Sequence, residues 1–222
     1  YGDWGSIREY SVRENALIET PVLVTSCDVP LINPSEIITF LNNYSLKDDY
    51  LIGFTQKEKL DEKLGLFDLK NDFYSIGGTI NNFQYTREHI LRINNLHLIK
   101  PLKLDIETYD LFQTVFNFRH FSKCNNWLNI SKGIKNLKQR KLLGITKMLY
   151  HGYLSQSKNS PKKILKHRKH LDIDSINSLG SKLLNLNFRI DINGDVGSLI
   201  DLDDEETYSF VNSNFEKLKK TL

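Results

Sequence analysis

The chain is short of cysteine, and of long apolar runs. Its 222 residues include two cysteines, Cys27 and Cys124. Two thiols make neither a disulfide framework nor a zinc motif, which points to a reducing, cytoplasmic setting. No apolar run approaches the roughly 18–20 residues that span a bilayer, and no secretory signal pattern opens the chain. The hydrolase elbow Gly-x-Ser-x-Gly, the Walker loop, the dinucleotide fingerprint and His-Glu-x-x-His are all missing, so hydrolase and redox chemistry have no support. Acidic residues are missing from one long stretch. None occurs between Asp110 and Asp172, where fourteen Lys or Arg do. What remains is ordinary globular material, 40% apolar and 26% charged with a net charge of +3. It is enough for one substantial α/β domain with its own core.

The most informative segment is Pro21 to Glu36, PVLVTSCDVPLINPSE. Val22, Leu23 and Val24 predict a short buried strand. It stops at Asp28-Val29-Pro30-Leu31, where Pro30 fixes φ and removes a donor, so the loop is stiff. Asn33, Pro34 and Glu36 then spell a helix start: N-cap, first helical proline, and an acid three residues after the cap. A carboxylate just past a strand's C-terminal end stands where open α/β sheets bind ligands, and it suits a divalent metal held against a phosphate. An ordinary turn aspartate is the plainer alternative for Asp28. Cys27 is expected to fill space at the strand end.

Two further segments carry chemistry. Ile200-Asp201-Leu202-Asp203-Asp204-Glu205-Glu206 reads as a strand end feeding a helix. Alternation would put Asp201 and Asp203 on one side, able to complete a metal site begun by Asp28. Asp203 with Glu206 is also a capping box. In Arg92-Ile93-Asn94-Asn95-Leu96-His97-Leu98, two asparagines inside a strand are poor β material and suggest a side-chain task. Amides suit a sugar-like hydroxyl or a base edge. His97 is expected to pack in the strand, and Lys100 to face solvent.

Asp28-Val29-Pro30-Leu31 resembles the Asp-x-Pro-Leu segment of MobA-like nucleotidyltransferases, and Asp201 and Asp203 match that family's closing Asp-Ile-Asp. The Asn94-Asn95-Leu96-His97 phrase is similar to one of its subgroups. The resemblance implies a three-layer, Rossmann-like (GT-A-like) α/β nucleotidyltransferase sheet. It implies transfer of a nucleoside monophosphate from a nucleoside triphosphate to a phosphorylated or hydroxyl acceptor, with Mg²⁺ and release of pyrophosphate. Asp28 would be the catalytic metal ligand, joined by Asp201 and Asp203. Pro30, Leu31, Arg92, Asn94 and Asn95 would face substrate. The family's Gly-rich nucleotide loop is not found upstream of Asp28. The chain is therefore expected to lack its first strands and to bind nucleotide poorly as it stands.

Along the chain, strands are expected at 49–55 and 90–99, with 57–72 a charged loop carrying one helical turn. The core is expected at 1–105 and 185–222, with a helical insertion at 106–184. A hairpin is expected between Phe188–Ile192 and Ser198–Leu202 around Asn193-Gly194, then a closing amphipathic helix. Lys162, Lys163, Lys166 and Arg168 form the densest basic run. It is either a solvated helix surface or a face for a phosphorylated acceptor, a lipid headgroup layer or nucleic acid. A non-catalytic module that docks through these basic helices is the competing functional class.

Overall fold

A computed structural model describes residues 2–66, 68–76, 83–104, 147, 150–152, 154–155 and 160–221. Of the expected insertion at 106–184, the part up to 146 and Cys124 with it lie outside these residues. The described elements run α1 (Gly2–Arg13), β1 (Val22–Thr25), α2 (Pro34–Asn42), β2 (Tyr50–Gln56), α3 (Lys57–Gly65), α4 (Lys70–Ser75), β3 (Gln84–Tyr85), β4 (Ile90–Ile99), α5 (Pro161–Arg168), α6 (Ile173–Leu184), β5 (Phe188–Asp191) and α7 (Glu205–Thr221). Short 3-10 turns fill Pro101–Lys103 and Gly197–Leu199.

The strands form a mixed sheet in the order β1-β4-β2-β5, with β3 paired to β4. β4 is antiparallel to β1 and β2, and β2 is parallel to β5. β2 is buried along all but its last residue, as the near-continuous run Tyr-Leu-Ile-Gly-Phe demands of a central strand. Its two faces feed different clusters. Leu51 packs with Leu96, Leu98 and Phe40 of α2. Tyr50, Ile52 and Phe54 pack with Ile190, Leu184 and the inner side of α6. Helices thus cover both faces of the sheet. A third cluster joins Leu60 and Leu64 of α3, Phe73 of α4 and Phe210 and Val211 of α7 to Leu199 and Ile200.

Three expectations change. Residues 57–75 hold two helices, α3 and α4, rather than a loop: Leu60 and Leu64, one turn apart, are both fully buried. No hairpin forms at Asn193-Gly194. The Gly194 N–H donates to Phe54 O at 3.0 Å and Thr55 Oγ1 donates to Asp195 O at 2.7 Å. The chain therefore continues along the end of β2, and residues 198–202 make a turn and a loop. Arg168 is part of the fold. Its guanidinium donates to Thr86 O and His89 O, and Arg87 N–H donates to Leu171 O, which ties α5 to the loop before β4. Lys162, Lys163 and Lys166 of α5 are exposed.

β4 is irregular at one place. Ile52 pairs with His97 and Phe54 with Ile93, so two steps along β2 face four along β4. The surplus is absorbed at Asn94-Asn95, a β-bulge of the kind common beside functional sites. Asn94 is fully buried, and its Oδ1 accepts the Leu96 N–H at 3.0 Å, satisfying backbone that the ladder abandons. Room for it comes from two glycines. A Cβ on Gly53 would stand 2.2 Å from Asn94 Oδ1, and one on Gly194 2.2 Å from Asn94 Nδ2.

This packing predicts a contrast between two substitutions. Gly53→Ala should destabilise the protein by about 1–3 kcal/mol, because the amide has nowhere to move. Gly65→Ala, at the end of α3 with nothing within 4 Å of the new methyl, should be neutral or stabilising by up to about 1 kcal/mol. Thermal and urea melts of the two variants check this. Equal behaviour would remove the bulge from its structural role.

Candidate functional site

β1, β2 and β5 all end at the same edge of the sheet, and β4 starts there. Asp28 follows β1 by three residues. Its carbonyl accepts the Leu202 N–H at 3.0 Å, so the segment bearing Asp201 and Asp203 is bonded directly to the Asp28 loop. The expected meeting of these acidic segments occurs, through backbone and at the expected edge. Ser26 Oγ donates to the Asp28 carboxylate. Asp201 pairs with Arg92 Nη2 at 3.2 Å. The Arg92 side chain is only 6% exposed, and it lies in the field of both Asp201 and Asp203. Burial pulls the guanidinium below its ordinary range and these carboxylates oppose that; an arginine stays charged in either case.

The capping box falls elsewhere. Asp204 Oδ1 accepts the Thr207 N–H at 2.7 Å, making Asp204 the N-cap of α7. Bonds from the Thr207 backbone and side chain hold the Asp204 carboxyl below the usual carboxylate range. Asp203 is thereby spared the capping role that the sequence allowed it, and it is exposed at the edge.

A small scaffold beneath the site was not legible beforehand. Glu36 is 3% exposed. Asn33 Oδ1 accepts the Glu36 N–H at 2.9 Å, as expected of an N-cap. The Glu36 carboxylate is turned to the Ser198 turn. It accepts the Ser198 N–H at 3.0 Å and the Ser198 hydroxyl. Burial raises the Glu36 pKa, with Asp195 adding to the rise and the Ser198 bonds opposing it. On the other side, Asn95 Nδ2 donates to Ser198 O at 3.1 Å. The turn before Asp201 is thus clamped between α2 and the bulge of β4. An acid in a helix's first turn gave the only sequence signal, and it read as a capping box.

Several candidate residues take other places. Leu31 is buried in the core cluster with Leu199 and Ile200, so it supports the loop rather than facing a ligand. Asn94 is sealed beneath Gly53 and Gly194. Arg92 faces Asp201. Pro30 is exposed, and so is Cys27, which fills no core space. Lys100 is buried, not solvent-facing: it meets Asp49 at 3.3 Å and Glu19 at 2.8 Å at the opposite edge of the sheet. A groove of about 510 Å³ is there too, lined by Glu19, Leu46, Asp48, Asp49, Lys100 and Arg189. Within it Lys100 pairs with Glu19 and Asp49, and Arg189 with Asp48. Among the described residues no group of three His, Cys, Asp or Glu side chains is arranged to hold a metal. Nor is any helix of those residues long and apolar enough to cross a membrane.

With the geometry established, comparison with known proteins adds one finding. No family model matches the chain, and no curated protein sequence does. A solved structure described as a hypothetical transferase from Thermus thermophilus is similar over 90% of this chain and 67% of its own, with a TM-score of 0.50 and 14% identity. At that identity the likeness concerns the fold: a mixed α/β sheet of a kind also found in that protein.

His97 offers a test of the site's boundary. Its Nδ1 lies 3.0 Å from the Tyr50 hydroxyl, and burial pushes the imidazole down to about 4. The unfolded chain protonates it near 6.5. Its contribution to stability is therefore whole above pH 6.5 and is lost as the pH falls toward 4, on the order of 3 kcal/mol. Denaturant melts from pH 7.5 to 4 should show this slope, and His97→Gln should flatten it. A His97 that titrates near 6.5 by NMR would contradict the assignment.

Proposed function

We propose that the protein is a transferase acting on a nucleoside triphosphate, with the Asp28 edge as its site. One observation supports this reading above the others: the Leu202–Asp28 backbone bond, which brings Asp201 and Asp203 to the loop that follows β1. Ligands of open α/β sheets bind at this edge. The donor set is hard carboxylate oxygen, which suits Mg²⁺. That ion usually takes one or two carboxylates and leaves the rest to water and substrate phosphates, so a ready-made cluster of three acids is not required. Asp28 and Asp203 would hold it, with Asp201 alongside. When bound, it would neutralise phosphate charge and orient the leaving group.

The chain's own residues then do the positioning. Ser26 fixes the Asp28 carboxylate, and Pro30 with buried Leu31 stiffens the loop that carries it. Glu36 and Asn95 hold the Ser198 turn, and with it the approach to Asp201. Transfer of a nucleotidyl group to a phosphorylated or hydroxyl acceptor needs alignment and charge stabilisation more than acid–base catalysis. In keeping with that, His97, the histidine of the Asn94 segment, is committed to Tyr50. Docking of an anionic surface by Lys162, Lys163 and Lys166 is a second reading. It is weakened because Arg168, its fourth cation, is engaged with Thr86 and His89.

The test is Mg²⁺-dependent pyrophosphate release from ATP, GTP or CTP, with a panel of phosphorylated alcohols as acceptors. Asp28→Asn should lower turnover by on the order of 10²-fold or more. Its melting temperature should move little, because Asp28 is partly exposed and its side chain bonds locally to Ser26. Equal turnover in variant and parent would falsify the assignment of Asp28.

A further inference from the structure

Arg92 has an unusual place. It sits on β4 opposite Thr55 of the central strand, near the start of the bulged segment. A buried guanidinium is costly to desolvate unless it is paired. It is paired with Asp201, which belongs to the acidic segment bonded to the Asp28 loop, and Asp203 lies within its field. The protein itself thus supplies a positive charge facing these acids.

We infer that Arg92 is a positioning residue: it holds Asp201 at the Asp28 edge as an internal counter-ion and competes with a divalent cation for that carboxylate. The inference rests on the reading of this edge as a cation site. Two consequences follow from charge alone. A cation arriving at Asp201 meets a guanidinium already paired with that carboxylate at 3.2 Å, so the site binds metal weakly by itself. The guanidinium also offsets the repulsion between the Asp201 and Asp203 carboxylates, and its bond fixes the position of Asp201. Arg92 acts through Asp201 and touches no reacting group.

The experiment uses Mn²⁺ as a paramagnetic probe, titrated into the wild type, Arg92→Met and Asp28→Asn and read by electron paramagnetic resonance. Removing a fixed positive charge beside the site should tighten Mn²⁺ binding in Arg92→Met by on the order of tenfold. Asp28→Asn should weaken it. If Arg92→Met binds no more tightly while Asp28→Asn still loses binding, the competition is wrong and the cation site stands. If neither wild type nor Arg92→Met binds Mn²⁺, the reading of the edge fails and the inference with it. Should Arg92→Met not fold, the wild type decides by NMR. Added Mg²⁺ should shift both the Arg92 Nε–H and the Leu202 N–H signals; a Leu202 shift with Arg92 unmoved would overturn the inference.

Discussion

The structure depends on where β4 places its two surplus residues. A regular strand between β1 and β2 would carry its side chains past both neighbours in step, leaving no reason for the adjoining loops to converge. The bulge at Asn94-Asn95 breaks that step. Asn94 turns inward and replaces a ladder bond with its own Oδ1, in space left by Gly53 and Gly194. Asn95, next in sequence, reaches the Ser198 turn instead. One local irregularity thus serves the interior on one side and the acidic loop on the other. A bulge re-aims side chains in this way without altering the strand order.

From there the constraint passes outward through hydrogen bonds. Ser198 is gripped from above and below by Asn95 and Glu36, and the chain emerging from it reaches Leu202, whose N–H is given to Asp28. Each link is short-range and each is made by a different element: β4, α2, the 3-10 turn, the β1 loop. Burying Glu36 raises its pKa, a cost that its two bonds to Ser198 offset. Buried polar groups that are fully bonded specify geometry. Here the geometry specified is the distance between two acidic segments about 170 residues apart in sequence.

Much of the local structure was legible. The Asn33-Pro34 helix start, the strands at β2 and β4, α6 and α7 all follow from capping residues and apolar period, signals carried within one short window. The meeting of the Asp28 and Asp201 segments was legible as well, because both end apolar runs with acids. What escaped was every pairing that depends on a distant partner. Arg92 and Asn94 read as polar residues with tasks toward a ligand, and Lys100 as a solvent-facing lysine. They are spent on Asp201, on the strand's own backbone and on Asp49. Leu31 read as part of a binding loop and is core. The Asn193-Gly194 pair carried a strong hairpin signal, yet Gly194 is there for the close approach of Asn94, a requirement invisible without the neighbouring strand. The two helices of 57–75 were hidden by their charge: Leu60, Leu64 and Phe73 suffice to bury one side.

The anchoring of α5 bears on a different matter, how the chain tolerates change. The polypeptide leaves the sheet after Ile99, and the continuous described run that begins at Ser160 leads through α5 back to it. Arg168 and Leu171 then fasten the return to carbonyl and amide groups around Thr86–His89, just ahead of β4. Both ends of the excursion are thus pinned to the same strand by contacts that lie outside it. Closing a loop costs only about 0.6 kcal/mol more for each doubling of its length. A change in the length of sequence between two fixed moorings is therefore cheap in chain entropy. Residue-by-residue constraint should concentrate instead at Thr86, Arg168 and Leu171, which keep such variation from reaching the sheet.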